Sequence, residues 1–373
     1  MNELNLILES LRQLPAGASA VLATLVAVEG SSYRRPGARL LILPDGRRVG
    51  AVSGGCLEAD LCERAAGLRP ASQPEVITYN TADESDAIFG LGIGCRGVLQ
   101  VMLEGIVGGD EAPYLSFLRD TIAADSPRIL GTVFSVEGEA ALRIGDRFML
   151  SGADVRVQGQ WPAALIANIA ETARLALRSD RSTTAVLQPG RVQVFVELIR
   201  PRIRLIIFGA SASARPLSAI GRHLGWHVTL CDRRAAQLEP GSHPDADELL
   251  VASAPEAKDR LRLDGRCAAV IMTHNYADDL ALLKWLVPSE AAYVGLLGAR
   301  ARRDQLIADL QLEGPIEPAH LGRLFSPVGL DIGAETPDEI ALAIACEIQA
   351  SLRGRASGSL RDRALALHDE GGR

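Results

Sequence analysis

The chain has 373 residues, with 39 Lys+Arg against 46 Asp+Glu and a formal net charge of −7. The acidic balance and an aromatic content of 4% argue against a nucleic-acid surface, while 47% apolar residues suffice for sizeable cores. The length predicts two domains. The start, Met1-Asn2-Glu3-Leu4-Asn5, does not read as a signal peptide, and no apolar run reaches membrane-spanning length, so a cytoplasmic protein without membrane contact is expected.

Leu4, Ile7, Leu8 and Leu11 form one helical stripe, closed by Pro15-Ala16-Gly17. A strand is expected over 21–28. It empties into a polar loop ending Tyr33-Arg34-Arg35-Pro36-Gly37. Strands over 39–43 and 48–52 flank the turn Pro44-Asp45-Gly46. Ser53-Gly54-Gly55-Cys56-Leu57-Glu58 opens a helix carrying Leu57, Leu61, Ala65 and Leu68. A short strand over 76–79 is followed by Gly90-Leu91-Gly92-Ile93-Gly94-Cys95-Arg96-Gly97 and a strand over 98–103. The middle of the chain predicts helices over 114–124 and 161–177, with strands over 129–136, 140–144, 184–188 and 192–198. Pro201 marks the boundary, giving domains 1–200 and 201–373. No internal repeat is legible.

From Arg202 on, strands (205–208, 227–231, 268–272, 292–296) alternate with helices (214–224, 279–286, 299–312). Thr336-Pro337-Asp338-Glu339 then caps a last apolar helix over 340–352. That rhythm predicts a doubly wound parallel sheet. The fold class is therefore α/β: an N-terminal α+β domain with cysteine-bearing glycine loops, then a Rossmann-like C-terminal domain.

The strand–turn–helix around Gly209 outlines a dinucleotide fingerprint, with Asp232 closing the next strand where an acid could hold a ribose. Ser211 and Ala214 stand where the second and third glycines belong. Alanine is accepted in the third slot, whereas Ser211 intrudes where backbone should approach a pyrophosphate. NAD(P) is therefore expected to bind weakly or not at all. His274 follows a predicted strand at the edge where such sheets bind ligands, and Arg300 sits after Gly298 at a helix start suited to a phosphate, or on a solvated basic face.

Cys56, behind Gly54 and Gly55 and before a helix, sits where a thiolate is favoured. It reads as a nucleophile, a soft-atom ligand or a small buried residue. Cys95 lies in a glycine-dense loop that could cradle an anion. Arg34, Arg35 and Arg39 flank Pro36-Gly37 in a cluster suited to a phosphate or to solvent, and Glu58 is either a helix-start acid or a base beside Cys56. Cys62, Cys231, Cys267 and Cys346 are expected in the core. With no Cys-x-x-Cys pair, neither disulfides nor a zinc site is expected.

Several motifs together resemble the XdhC/CoxI family, the accessory factors of xanthine dehydrogenase and related molybdenum hydroxylases. They are Ser53-Gly54-Gly55-Cys56-Leu57-Glu58, Gly94-Cys95, Thr273-His274, Tyr293-Val294-Gly295-Leu296-Leu297-Gly298, and the run from Ser326 to Gly333 with Thr336-Pro337. The resemblance implies a cofactor carrier rather than an enzyme. Such a protein binds molybdenum cofactor (molybdopterin), shields it while a cysteine desulfurase supplies sulfur, and passes it to an apo molybdenum hydroxylase. A homo-oligomer is expected. On this reading Cys56 and Cys95 meet the metal, and Gly54, Gly55, Arg34, Arg35, Gly209, Ser211, Asp232, His274 and Arg300 are candidate cofactor-binding residues. The chain departs from the family's usual glycines at Ser211 and Arg96. The alternatives are an NAD(P)-dependent oxidoreductase using Asp232 and His274, or a sulfur-transfer enzyme with Cys56 as nucleophile.

Overall fold

The computed structural model describes residues 2–68, 72–81, 97–110, 112–138, 141–188, 191–239 and 241–362. The chain divides into two compact units, Met1–Pro201 and Arg202–Arg373.

In the first unit, α1 (Asn2–Arg12) precedes β1 (Ser19–Gly30), β2 (Arg39–Ile42), β3 (Arg48–Gly50), α2 (Glu58–Gly67), β4 (Glu75–Asn80) and β5 (Gly97–Val107). Next, α3 (Pro113–Ile122) precedes β6 (Arg128–Val136), β7 (Arg147–Ser151), β8 (Asp154–Gln158), α4 (Ala163–Ser179), β9 (Thr183–Leu187) and β10 (Val192–Ile199). The two runs pair in the same antiparallel order, β3-β2-β1-β5-β4 and β8-β7-β6-β10-β9. Register repeats as well. Thr24 faces Arg39 and Leu22 faces Glu104 in one sheet, while Thr132 faces Arg147 and Leu130 faces Glu197 in the other. The unit is thus an internal structural repeat of one module, against the expectation of none.

The two-residue period of a strand splits each apolar run between two cores. Val21, Ala23, Leu25, Leu40 and Ile42 pack on Leu57 and Leu61 beside α2. Ala20, Leu22, Leu41, Leu130 and Met149 share a central core with α1 and α3. That module-to-module face also holds two buried ion pairs. Arg39 Nη1 donates to Glu197 Oε1 at 2.8 Å and to Gly37 O at 3.0 Å. Arg147 Nη2 donates to Glu104 Oε2 at 2.8 Å, and its Nη1 donates to Gly145 O. Each pair joins the second strand of one module to the last strand of the other. Gly37 is required there: its φ is +98°, and an added Cβ would lie 2.8 Å from Glu197 Oε1. Tyr114 donates its hydroxyl to Glu104 at 2.6 Å. Burial and that carboxylate hold the phenol well above its ordinary pKa.

Two of the connections that differ in length between the modules bear on the cysteines. The β3–α2 link runs over 51–57, whereas β8–α4 needs only 159–162. The β4–β5 link covers 81–96, whereas β9–β10 is joined by 188–191. The longer member of each pair carries Cys56 or Cys95.

The second unit comprises β11 (Arg204–Phe208), α5 (Ala214–His223), β12 (His227–Asp232), β13 (Glu248–Val251), α6 (Ala254–Arg260), β14 (Cys267–Ile271), α7 (Tyr276–Leu286), β15 (Tyr293–Leu296), α8 (Arg300–Glu313), α9 (Pro318–Leu321), β16 (Leu324–Phe325) and α10 (Pro337–Leu352). All six strands are parallel, in the order β13-β12-β11-β14-β15-β16, with apolar clusters on both faces. The order reverses between β11 and β14, which opens a crevice at their carboxyl ends.

Three expectations need correction. Residues 141–144 form no strand; the hairpin of β7 and β8 follows instead, turning at Gly152 with φ +60°. The short edge strand β13 and its capped neighbour α6 stand where no element was expected, although Ser253 and Glu256 spell a capping box. Cys346 is exposed on α10 rather than in the core, because Ile344 and Ile348 take the inward stripe.

Candidate functional site

The Cys56 loop is pinned at both ends and bare at its tip. Val52 and Leu57 are fully buried, and Ser53 nearly so, while Gly54, Gly55 and Cys56 are exposed. Glu58, only 6% exposed at the start of α2, turns back toward the loop. Its Oε1 accepts from the Ser53 amide at 2.9 Å and the Val52 amide at 3.2 Å, and its Oε2 accepts from the Ser53 hydroxyl. Ser53 Oγ in turn accepts from the amides of Gly55 (3.1 Å) and Leu57 (3.2 Å). Gly55 has φ +111°, a conformation other residues adopt only with strain. Among the described residues the Gly54 and Cys56 amides have no acceptor.

Burial alone would raise the Glu58 carboxyl, but the Ser53 and Val52 donors outweigh it and hold its pKa below the ordinary value. Glu58 therefore braces the loop as a carboxylate, and its committed oxygens argue against a base for Cys56. Glu58→Gln should lower stability by about 1–3 kcal/mol in denaturant unfolding, since hydrogen bonds to a buried charge are lost. A depressed carboxyl contributes fully above its ordinary pKa and loses that contribution as pH falls through the folded value. The gap between the two proteins should therefore close in acid.

The arginines of the neighbouring loop separate. Arg34 pairs with Glu3 of α1 at 2.7 Å, and Arg35 is exposed. Arg39 is no loop cation, because Glu197 holds it in the core. Cys95 and Arg96 lie outside the described residues. Burial pushes the Cys231 and Cys267 thiols up to about 12, so those cysteines stay protonated.

In the second unit, Gly209 (φ +105°) lies against β14: a Cβ there would stand 2.5 Å from Met272 O. Asp232 is buried and committed. Its Oδ2 accepts from the Ala210 amide and Arg234 Nη2, both at 2.9 Å, and its Oδ1 accepts from Arg234 N and Nε. Burial opposes ionisation, yet these donors keep its pKa below the ordinary range. A cavity of about 130 Å³ lies beside it, lined by Phe208, Arg233, Ala254 and Leu282 among others.

His274, at φ +59°, brings Nε2 to 3.4 Å from Ser213 Oγ, which contacts Ser211 Oγ at 2.8 Å. It shares a crevice of about 370 Å³ with Gly298, Arg302, Leu297, Pro327 and Val328. The α8 arginine lining that crevice is Arg302, tied to the buried Asp279 at 2.6 Å; Arg300 is exposed at the first turn. Sequence reasoning assigned no role to Arg302 and Asp279 because they meet only in the fold, 23 positions apart, whereas Arg234, two positions from Asp232, was a local signal passed over.

Residues 205–348 match the XdhC Rossmann domain model and residues 13–80 match the XdhC and CoxI family model. The chain is 34% identical over 330 residues to a probable xanthine dehydrogenase subunit of Bacillus subtilis, covering 88% of this chain and 92% of that one. The chain belongs to the XdhC and CoxI family. A more distant relative, at 23% identity over 91% of this chain and 85% of the other, is the "Molybdenum cofactor insertion chaperone PaoD" of Escherichia coli. A crystal structure described as a xanthine dehydrogenase from Bacillus halodurans superposes with a TM-score of 0.75 at 29% identity, covering 96% of this chain and 98% of that one.

The Rossmann domain of this XdhC and CoxI chain does not fit NAD as it stands. The Arg234 fork fills the Asp232 oxygens that a ribose diol would need, and Ser211 stands at the pyrophosphate turn. Calorimetry should find NAD(H) binding weak or absent. Ser211→Gly alone should recover little, and Ser211→Gly with Arg234→Ala should recover more. Tight binding by the unmodified chain would contradict this account. Among the described residues no group of three or more His, Cys, Asp or Glu is placed to hold a metal ion, and no helix is long and apolar enough to cross a membrane.

Proposed function

We propose that this protein is a cytoplasmic accessory chaperone that carries molybdenum cofactor, supports its sulfuration by a cysteine desulfurase, and delivers it to an apo molybdenum hydroxylase of the xanthine dehydrogenase type. It works as a homo-oligomer. The observation that carries the reading is an exposed cysteine on a braced, amide-bearing loop in a chain of this family. A thiol is a soft donor suited to molybdenum or to the dithiolene environment, and exposed amides suit the cofactor's phosphate. Cys56 and Cys95 contact the metal, Gly54 and Gly55 let the backbone approach, and Arg34 and Arg35 supply charge at the rim. The second unit is proposed to have an anion site of its own at the carboxyl edge of its sheet, with Gly209, Ser211, His274 and Arg300 at its border and Asp232 bracing the turn through the Ala210 amide.

Release demands that the protein bind without chemistry of its own. The bracing role of Glu58 agrees with this, because Cys56 gains no base from it. Anaerobic purification followed by metal and pterin analysis tests the reading. Stoichiometric molybdopterin supports it, whereas bound NAD(P) with no pterin favours an oxidoreductase.

A further inference from the structure

We infer that Tyr33 is a stacking platform for the planar ring of the cargo, beside the Cys56 thiol; this rests on the carrier reading above. Four of the chain's five tyrosines donate their hydroxyls to carboxylates: Tyr79 to Asp60, Tyr114 to Glu104, Tyr276 to Asp309 and Tyr293 to Glu347. Tyr33 is the exception. It is 64% exposed, and among the described residues its hydroxyl has no partner and its ring packs on no other ring. Among the described residues, no hydrogen bond and no ring contact accounts for an aromatic side chain held in water there.

Its position does. The Tyr33 ring lies flush with the Cys56 loop, its Cγ 3.8 Å from where a Gly54 Cβ would stand. The loop that carries it is anchored: the Ser32 hydroxyl donates to Arg34 O, and Arg34 is tied to Glu3. Gly97, where β5 begins, packs so closely that a Cβ would meet Ser31 O at 2.6 Å. One short stretch of this edge thus presents an open aromatic face, an exposed thiol and unpaired amides. A ligand matching all three has a flat heteroaromatic ring, a soft sulfur or metal end and an anionic group. A pterin bearing a dithiolene and a phosphate has each of them. Stacking on an aromatic side chain is sequence-tolerant and needs only a π-face, so the phenol oxygen is dispensable.

The experiment compares full-length wild type, Tyr33→Ala, Tyr33→Phe and Cys56→Ala with two probes under anaerobic conditions. The probes are molybdopterin and neopterin, which has the ring but neither dithiolene nor metal. Tyr33→Ala should weaken both on the order of tenfold or more, by the usual magnitude of base–aromatic stacking. Tyr33→Phe should bind like wild type, and the neopterin fluorescence that wild type quenches should stay unquenched with Tyr33→Ala. Cys56→Ala should lose molybdopterin but keep neopterin. Because Tyr33 is exposed, melting temperatures should coincide, which separates binding from folding. Unchanged neopterin and molybdopterin binding by Tyr33→Ala, with molybdopterin lost by Cys56→Ala, removes Tyr33 and leaves the carrier reading standing. Equal weakening by Tyr33→Phe and Tyr33→Ala assigns the effect to the hydroxyl and overturns stacking. A wild-type protein that binds neither probe ends both readings.

Discussion

Arg39→Met should destabilise the first unit by about 3–5 kcal/mol, because it leaves Glu197 charged and unpaired inside the module-to-module core. Glu197→Leu should cost a similar amount by stranding the arginine. The double variant Arg39→Met/Glu197→Leu should recover most of the loss, since two apolar residues of comparable size need no partner there. The repeat sharpens the test. Arg147 and Glu104 occupy the equivalent strands and pair with the same exchange of modules. Their single variants should cost at least as much, and Glu104→Leu more, since Tyr114 also loses its acceptor. Denaturant unfolding with double-mutant cycles measures all four. Because each pair spans both modules, neither half should fold alone, and a fragment ending before α3 should show no cooperative transition. Single variants that cost under about 1 kcal/mol would mean that these pairs are as weak as solvent-exposed ones.

Cys56→Ala should abolish most retention of molybdopterin, measured as the fluorescent oxidised pterin per mole of purified chain. The side chain is exposed at the tip of a loop whose ends are buried, so its removal leaves the brace of Ser53 and Glu58 intact. The melting temperature should therefore move little while the cargo is lost. Cys95→Ala should have a smaller effect, and the double variant should hold none. Undiminished cofactor in the double variant would remove both thiols from the account. Glu58→Gln offers a graded comparison, since it loosens the loop without touching the thiol and should lower retention less than Cys56→Ala.

The sequence by itself determined much of the second unit. Four apolar runs, their helices and the Thr336 capping box are local signals, and β11, β12, β14, β15 and α10 formed close to where they were expected. Ser53-Gly54-Gly55-Cys56 announced its loop for the same reason: the glycines and the following helix are short-range chemistry. What lay beyond reach was pairing between distant residues. Arg39 looked like one of three loop arginines, yet alternation along β2 turns it inward onto Glu197. Arg302 rather than Arg300 reached the His274 crevice because Asp279, 23 positions earlier, drew it there, whereas Arg234, which closes on Asp232 from two positions away, was a short-range signal that the ribose reading passed over. The repeat left a trace in the sequence, since Thr24, Arg39 and Val28-Glu29-Gly30 recur as Thr132, Arg147 and Val136-Glu137-Gly138, but the matches are sparse because any apolar residue can satisfy the buried strand positions between them. Periodicity and turn residues act within a few positions of the chain, so they fix elements. Which charges meet, and which aromatic is left facing water beside a thiol, is decided only when strands distant in sequence come into register.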